Sequence, residues 1–146
     1  MTSGRILTAE FLLTMDANNS VITNGAVAIE DGRILQVGPF ESVSAAYPYF
    51  MVTKIENAVL MPGLINAHAH SGFLRGTAEH LPVWDWLTQH INPMHRVLRP
   101  HEAEAASFLC YAESALAGTT TVVDMWRFME GSATAAEAVG TRLVAV

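Results

Sequence analysis

The chain has 146 residues, 51% of them hydrophobic and only 15% charged, with a formal net charge of −6. That acidic balance argues against a nucleic-acid partner, and no apolar run reaches the roughly 18 residues a membrane span needs. A single cysteine, Cys110, precludes an intrachain disulfide and fits a reducing cytoplasm.

Residues 5 to 60 read as β-structure. Ile6 to Thr14 is an apolar strand closed by the turn cluster Asp16-Ala17-Asn18-Asn19-Ser20. Val27 and Ile29 alternate with smaller or polar neighbours, and Asp31-Gly32 separates them from Ile34-Leu35-Gln36-Val37. An Asp-Gly pair between two apolar strands predicts a hairpin, because a type I′ turn needs positive φ at both central residues. Gly38-Pro39 ends that arm, Ser42 to Tyr49 suggests a short helix stopped at Pro48, and Lys54 to Leu60 returns as a strand. No constellation of reactive groups occurs in this portion, which reads as scaffold.

From Met61 the pattern changes to strands alternating with helices. Leu64 to His70 is the first strand. Pro82 opens a helix through Trp84, Trp86 and Leu87 that is predicted to halt at Asn92-Pro93. A longer helix spans Pro100 to Ala117, with Glu102 and Glu104 in its first turns and Gly118 as its stop. Ala106, Leu109, Cys110 and Leu116 mark its expected buried stripe, Cys110 reading as a small hydrophobe. Thr119 to Asp124 is β-branched and reads as a buried parallel strand. Ser132 is expected to cap a short helix ending at Gly140, and Arg142 to Val146 begins a third strand. This alternation implies βαβ crossovers and a parallel sheet. The last strand is apolar to its end, so the polypeptide reads as unfinished, and the high apolar share predicts that some surface faces another chain.

The first of these strands carries the chemistry. His68 and His70 stand at i and i+2, on one face of a strand, with Cβ atoms about 7 Å apart. Two imidazoles so placed can lean toward one ion at about 2.0–2.1 Å, and neutral imidazole suits zinc, iron or nickel better than magnesium or calcium. An isolated His-x-His is common on protein surfaces. Here the pair ends an apolar strand, where α/β proteins place their chemistry.

The motifs Pro62-Gly63-Leu64-Ile65-Asn66-Ala67-His68-Ala69-His70, Leu74-Arg75-Gly76, Leu81-Pro82 through Trp86-Leu87, and Gly118-Thr119-Thr120-Thr121-Val122-Val123-Asp124-Met125 resemble the amidohydrolase superfamily. The closest likeness is to its ATZ/TRZ branch of chlorohydrolases, guanine deaminases and methylthioadenosine/S-adenosylhomocysteine deaminases. The resemblance covers essentially the whole chain. It implies an α/β fold in which residues 1–61 are the N-terminal share of a composite β-sandwich. Residues 62–146 are then the first three or so strands of a TIM-like (β/α)₈ barrel of about 250 residues.

By the same resemblance His68 and His70 are the first two ligands of one divalent metal, zinc or else iron. The remaining ligands and the proton shuttle come from later strands, so this chain is expected to hold no catalytic residue of its own. The metal activates water for attack on an electrophilic ring carbon, with ammonia or chloride leaving. Adenosine-type deaminases of the branch carry a Pro-x-Glu after the Trp-Leu helix, whose carboxylate holds ribose hydroxyls. This sequence has Pro93-Met94-His95 there. An imidazole accepts poorly from two hydroxyls, which turns the expectation from a nucleoside toward a free heterocycle or an amidine-like substrate contacted by His95 and Trp86. Arg75 is expected to be a structural anchor, Asp124 a structural hydrogen-bonding group, and His80, His90 and His101 surface or helix-cap residues.

The expected function is therefore a cytoplasmic, metal-dependent hydrolase of C–N bonds that deaminates a nitrogen heterocycle. Its expected partners are a small-molecule substrate, a complementary chain carrying the rest of the barrel and, as in related families, a second copy of itself. Two other expectations compete. One is a non-catalytic fragment or assembly subunit using its exposed sheet edge; the other is a dechlorinating hydrolase of the same branch.

Overall fold

In the computed structural model, which describes residues 4–73, 76, 78 and 80–146, the chain divides into two units, Met1–Pro62 and Gly63–Val146. Strands β1 (Arg5–Leu13), β2 (Val21–Glu30), β3 (Arg33–Pro39) and β4 (Met51–Leu60) build the first, with the buried residues concentrated on β1 and β2. Its sheet has the order β3-β2-β1-β4, antiparallel except for the parallel β1–β4 pair. Helix α1 (Phe40–Ala46) supplies Val43 to a fully buried cluster with Ile6, Ala26 and Ala28, flanked by Phe40, Tyr47 and Phe50. The Asp31-Gly32 hairpin is present: Glu30 pairs with Arg33, and the two turn residues have φ of 49° and 72°. The Asp16 turn closes on itself, its carboxylate accepting the amides of Asn18 and Ser20 and the Ser20 hydroxyl. Those bonds, led by the Ser20 amide, hold its pKa below the usual carboxylate value.

The second unit contains β5 (Leu64–Ala69), β6 (Thr119–Asp124) and β7 (Arg142–Ala145), paired in parallel in that order. Between β5 and β6 run α2 (Val83–Trp86), a π-helical segment (Leu87–Ile91), α3 (Asn92–Val97) and α4 (Pro100–Leu116). Helix α5 (Met129–Val139) links β6 to β7. Gly118 and Gly140 stop α4 and α5 at φ of 85° and 83°, as their positions predict. Gly63 has another reason to be glycine, since a Cβ there would lie 2.2 Å from the Thr120 side chain. The core joins Ala69, Tyr111, Val122, Ala135 and Ala136, with Val139 and Leu143 packed against it.

Three sequence expectations fail here. The helix does not halt at Asn92-Pro93 but continues to Val97. In the π-helical turn the Asn92 amide bonds to Leu87 O, and Pro93 follows where the hydrogen-bond register changes, so its missing N–H leaves no gap in a regular ladder. The buried face of α4 is Ala103, Ala106, Ser107 and Tyr111, whereas Leu109 and Leu116 are 56% and 90% exposed. Ser132 lies inside α5, buried, and Phe128 at φ 62° precedes the helix instead. The second and third failures have one cause: the inward faces of α4 and α5 carry hydroxyls that serve a buried carboxylate.

Candidate metal centre

His68 stands next to the C-terminal residue of β5 and His70 one residue past the strand, and the two rings come together there. The rings of His68 and His70 are nearly perpendicular, with centroids 4.7 Å apart, and their Nε2 atoms are 3.1 Å apart. The Nδ1 of His70 lies 2.6 Å from Met125 O. A carbonyl only accepts, so Nδ1 carries a proton, and in the neutral ring Nε2 then offers its lone pair. Two nitrogens bound tetrahedrally at about 2.0–2.1 Å stand about 3.3 Å apart, close to the spacing here. The donor set therefore fits one imidazole-preferring divalent ion. Among the described residues no third His, Cys, Asp or Glu joins the pair.

The pairing that sets this geometry is irregular. Residues Leu64 to Asn66 pair with Thr119 to Val122, the register then shifts, and pairing resumes at Ala69 with Asp124. In the gap the His68 amide is taken by the Asn66 side chain, at 3.1 Å. Beyond the gap, Met125 N donates to Ala69 O, and Ser71 is held by Asp124. That carboxylate is fully buried and accepts three donors: Ser71 N at 3.0 Å, Ser71 Oγ at 2.5 Å and Tyr111 OH at 2.7 Å. Ser107 and Ser132 complete the network, each within 3.1 Å of Ser71 Oγ and 3.0 Å from each other. Burial, reinforced by the bond to Asp124, drives the Tyr111 pKa far above its ordinary value, so the phenol stays a donor. Asp124 thus takes the hydrogen-bonding place its position at the end of β6 suggested.

Around the pair lies an aromatic cluster. Phe73 stands 5.3 Å from His70, 5.8 Å from Trp86 and 4.0 Å from Trp126, centroid to centroid. His95 stacks on Trp126 at 4.2 Å with rings 3° from parallel. Its Nε2 is buried without a partner among the described residues, and its carbonyl accepts from Arg127. Burial first, and the Arg127 charge second, lower the His95 pKa below the usual imidazole value. The structure thus places His68, His70, Trp86 and His95 in one neighbourhood. His80 and His101 are exposed and His90 half-buried, and Leu74 and Arg75 lie outside the described residues.

Phe73, Trp126 and Arg127 were not singled out from the sequence. The last two follow the C-terminal end of a parallel strand directly, and that placement was the available signal. Trp126 also explains Gly72, where a Cβ would come within 2.0 Å of the indole.

Comparison with known proteins finds relatives along nearly the whole chain. Residues 25–48 match an imidazolonepropionase-like composite domain of bacteria. A 5-methylthioadenosine/S-adenosylhomocysteine deaminase of Nitratidesulfovibrio vulgaris (strain DSM 19637 / Miyazaki F) is 42% identical over 139 residues, 94% of this chain and 32% of the relative. A 5′-deoxyadenosine deaminase of Methanosarcina barkeri is 37% identical over 134 residues, 90% of this chain and 30% of that one. Among solved structures, an adenosine deaminase of Xanthomonas campestris with bound zinc superposes with a TM-score of 0.83 at 31% identity, over 97% of this chain and 33% of the other. A guanine deaminase of Bradyrhizobium japonicum shares the fold at a TM-score of 0.82 and 22% identity, over 98% and 34%. The chain spans about a third of the length of the curated relatives it matches. With residues 59–146 matching the amidohydrolase family, a span that includes both histidines, the chain belongs to that family.

Proposed function

We propose that the chain forms the N-terminal part of a divalent-metal-dependent hydrolase of C–N bonds, which deaminates a nitrogen heterocycle. One observation carries this reading: two Nε2 atoms 3.1 Å apart, one of them left to offer its lone pair in the neutral ring by the bond from that ring to Met125 O. His68 and His70 would hold the ion, zinc in the first place and iron in the second. When bound, the ion supplies Lewis-acid activation of water near neutral pH. The chain's own residues do the rest of what can be assigned to them. His70 is oriented through Nδ1, Phe73 and Trp126 stand 5.3 and 6.2 Å from that ring, and Trp86 and His95 would border the space in which a flat heterocycle lies.

Residues 1–61 take the role of a composite β-sandwich, and 62–146 that of the first barrel strands. The further ligands, the proton shuttle and the rest of the substrate pocket come from polypeptide beyond these strands, supplied by a complementary segment. Exposed apolar side chains such as Ile65 on β5, 68% exposed, suit such a neighbour. By their names, three of the similar proteins act on adenosine-type compounds and one on guanine, while a stacked imidazole at position 95 suits a planar base better than a ribose diol.

The test uses the assembled enzyme. His68→Ala and His70→Ala are each expected to lower metal content to below half and turnover by at least 10³-fold, measured by elemental analysis and ammonia release. Full metal and activity in either variant overturns the reading. Chloride release from a chloro-heterocycle in place of ammonia from its amino analogue would overturn the deaminase assignment alone.

A further inference from the structure

We infer that the buried Asp124–Tyr111–Ser71 network is a positioning device for His70, setting the tautomer and orientation with which that imidazole meets a metal. The inference rests on the reading of His68 and His70 as ligands. Its basis is the break in the β5–β6 ladder. Between Asn66 and Ala69 no regular pairing holds the segment that carries His68 and leads to His70. The His68 amide is bound within its own strand by Asn66, so β6 does not locate it.

Past the break, backbone pairing returns at Ala69 with Asp124, and Met125 N donates to Ala69 O. There the Asp124 carboxylate also takes the amide and the hydroxyl of Ser71, the residue next to His70. Asp124 also precedes Met125, whose carbonyl fixes His70 Nδ1. One side chain thus joins the residue after the ligand to the residue before the ligand's acceptor.

The network is arranged to keep that carboxylate still. Tyr111 reaches it from α4, and Ser107 and Ser132 brace Ser71 from α4 and α5. The three serines form a closed triangle with sides of 2.8, 3.0 and 3.1 Å. With Ser71 donating to Asp124, Ser107 and Ser132 supply the two remaining donors of the triangle. Those two donors serve three contacts, so two sides of the triangle are hydrogen bonds at once, and every hydroxyl has a partner. A network fully satisfied in this way holds geometry better than apolar packing, because its bonds are directional. Neither Asp124 nor Tyr111 touches a reacting atom in this account; both act through His70.

The test reads the imidazole directly. Nitrogen-15 correlation spectra of the labelled full chain are recorded at a pH of about 8.5, where unpaired imidazoles are neutral. In the unmodified chain His70 is expected to show a pyrrole-type Nδ1 and a pyridine-type Nε2. Tyr111→Phe and Asp124→Asn are expected to move His70 toward a mixed tautomer, Asp124→Asn further than Tyr111→Phe. Val122→Ala, which destabilises the same strand without removing a hydrogen bond, is expected to leave His70 unchanged at a comparable fall in Tm. Equal movement in Val122→Ala, or an unmoved His70 in Tyr111→Phe, overturns the inference; if Asp124→Asn does not fold, Tyr111→Phe decides. Excess Zn²⁺ added to the unmodified chain separates the two levels of the reading. Resonances of His68 and His70 that ignore zinc would sink the metal assignment while leaving the positioning of His70 standing on the variants.

Discussion

The two units differ in what they bury beside their apolar residues. Around Ile6, Ala26, Ala28 and Val43 the first unit packs mostly hydrocarbon, with Thr8 bonded to Gly25 O as a buried polar side chain, and its loops close on themselves through local bonds such as those of Asp16. The second unit surrounds its small apolar cluster with a carboxylate, a phenol and three hydroxyls, all linked. Hydrocarbon packing is non-directional and tolerates small shifts. A buried polar network tolerates few, since each broken bond leaves an unpaired group away from water. The difference separates a part that must only hold together from a part that must aim two nitrogens.

The comparison is broken most forcefully at Asp124. Asp124→Ala leaves Ser71 N, Ser71 Oγ and Tyr111 OH without their acceptor, so a loss of about 3–5 kcal/mol is expected by chemical denaturation. A loss under about 1 kcal/mol would show that water replaces the carboxylate, and the two cores would not differ as described. In the first unit Ile6→Val removes one methylene from a fully buried side chain, with an expected loss of about 0.5–1.5 kcal/mol and an unchanged denaturant slope.

The smallest effect sharpens the comparison through pH. His95 has its pKa lowered by burial and by Arg127, so the folded state binds its proton less readily than the unfolded chain does. Its stabilising contribution is complete above the unfolded value of about 6.5 and is lost as pH falls toward the lower folded value. Between pH of about 7.5 and 5.5, Tm is expected to fall more steeply in the unmodified chain than in His95→Phe, which keeps the stack without the proton. Parallel pH profiles would remove His95 from the stability of the second unit.

Much of this architecture was legible in the sequence because it is local. Positive φ at Asp31 and Gly32, and helix stops at Gly118 and Gly140, follow from the residues at those positions alone. The two-residue spacing of His68 and His70 was legible too, although the ladder breaks before Ala69 and His70 lies past the end of β5. The buried network was not legible, because Ser71 and Asp124 are 53 residues apart and nothing near Ser107 or Ser132 marks them as inward-facing. Apolar periodicity assigned Leu109 and Leu116 to the core of α4 for the same reason: it ranks side chains by hydropathy, and this interior is organised by hydrogen bonding. The helix past Pro93 escaped the sequence reading because a π-helical turn shifts the register just where the proline falls.

The acceptor for His70 Nδ1 is the main chain of Met125, whose side chain is 47% exposed. Every amino acid placed at position 125 brings the same carbonyl, so the proton on His70 is insulated from replacements there. Position 125 can therefore change in size and polarity beside the two histidines while the Nδ1 contact of His70 stays as it was.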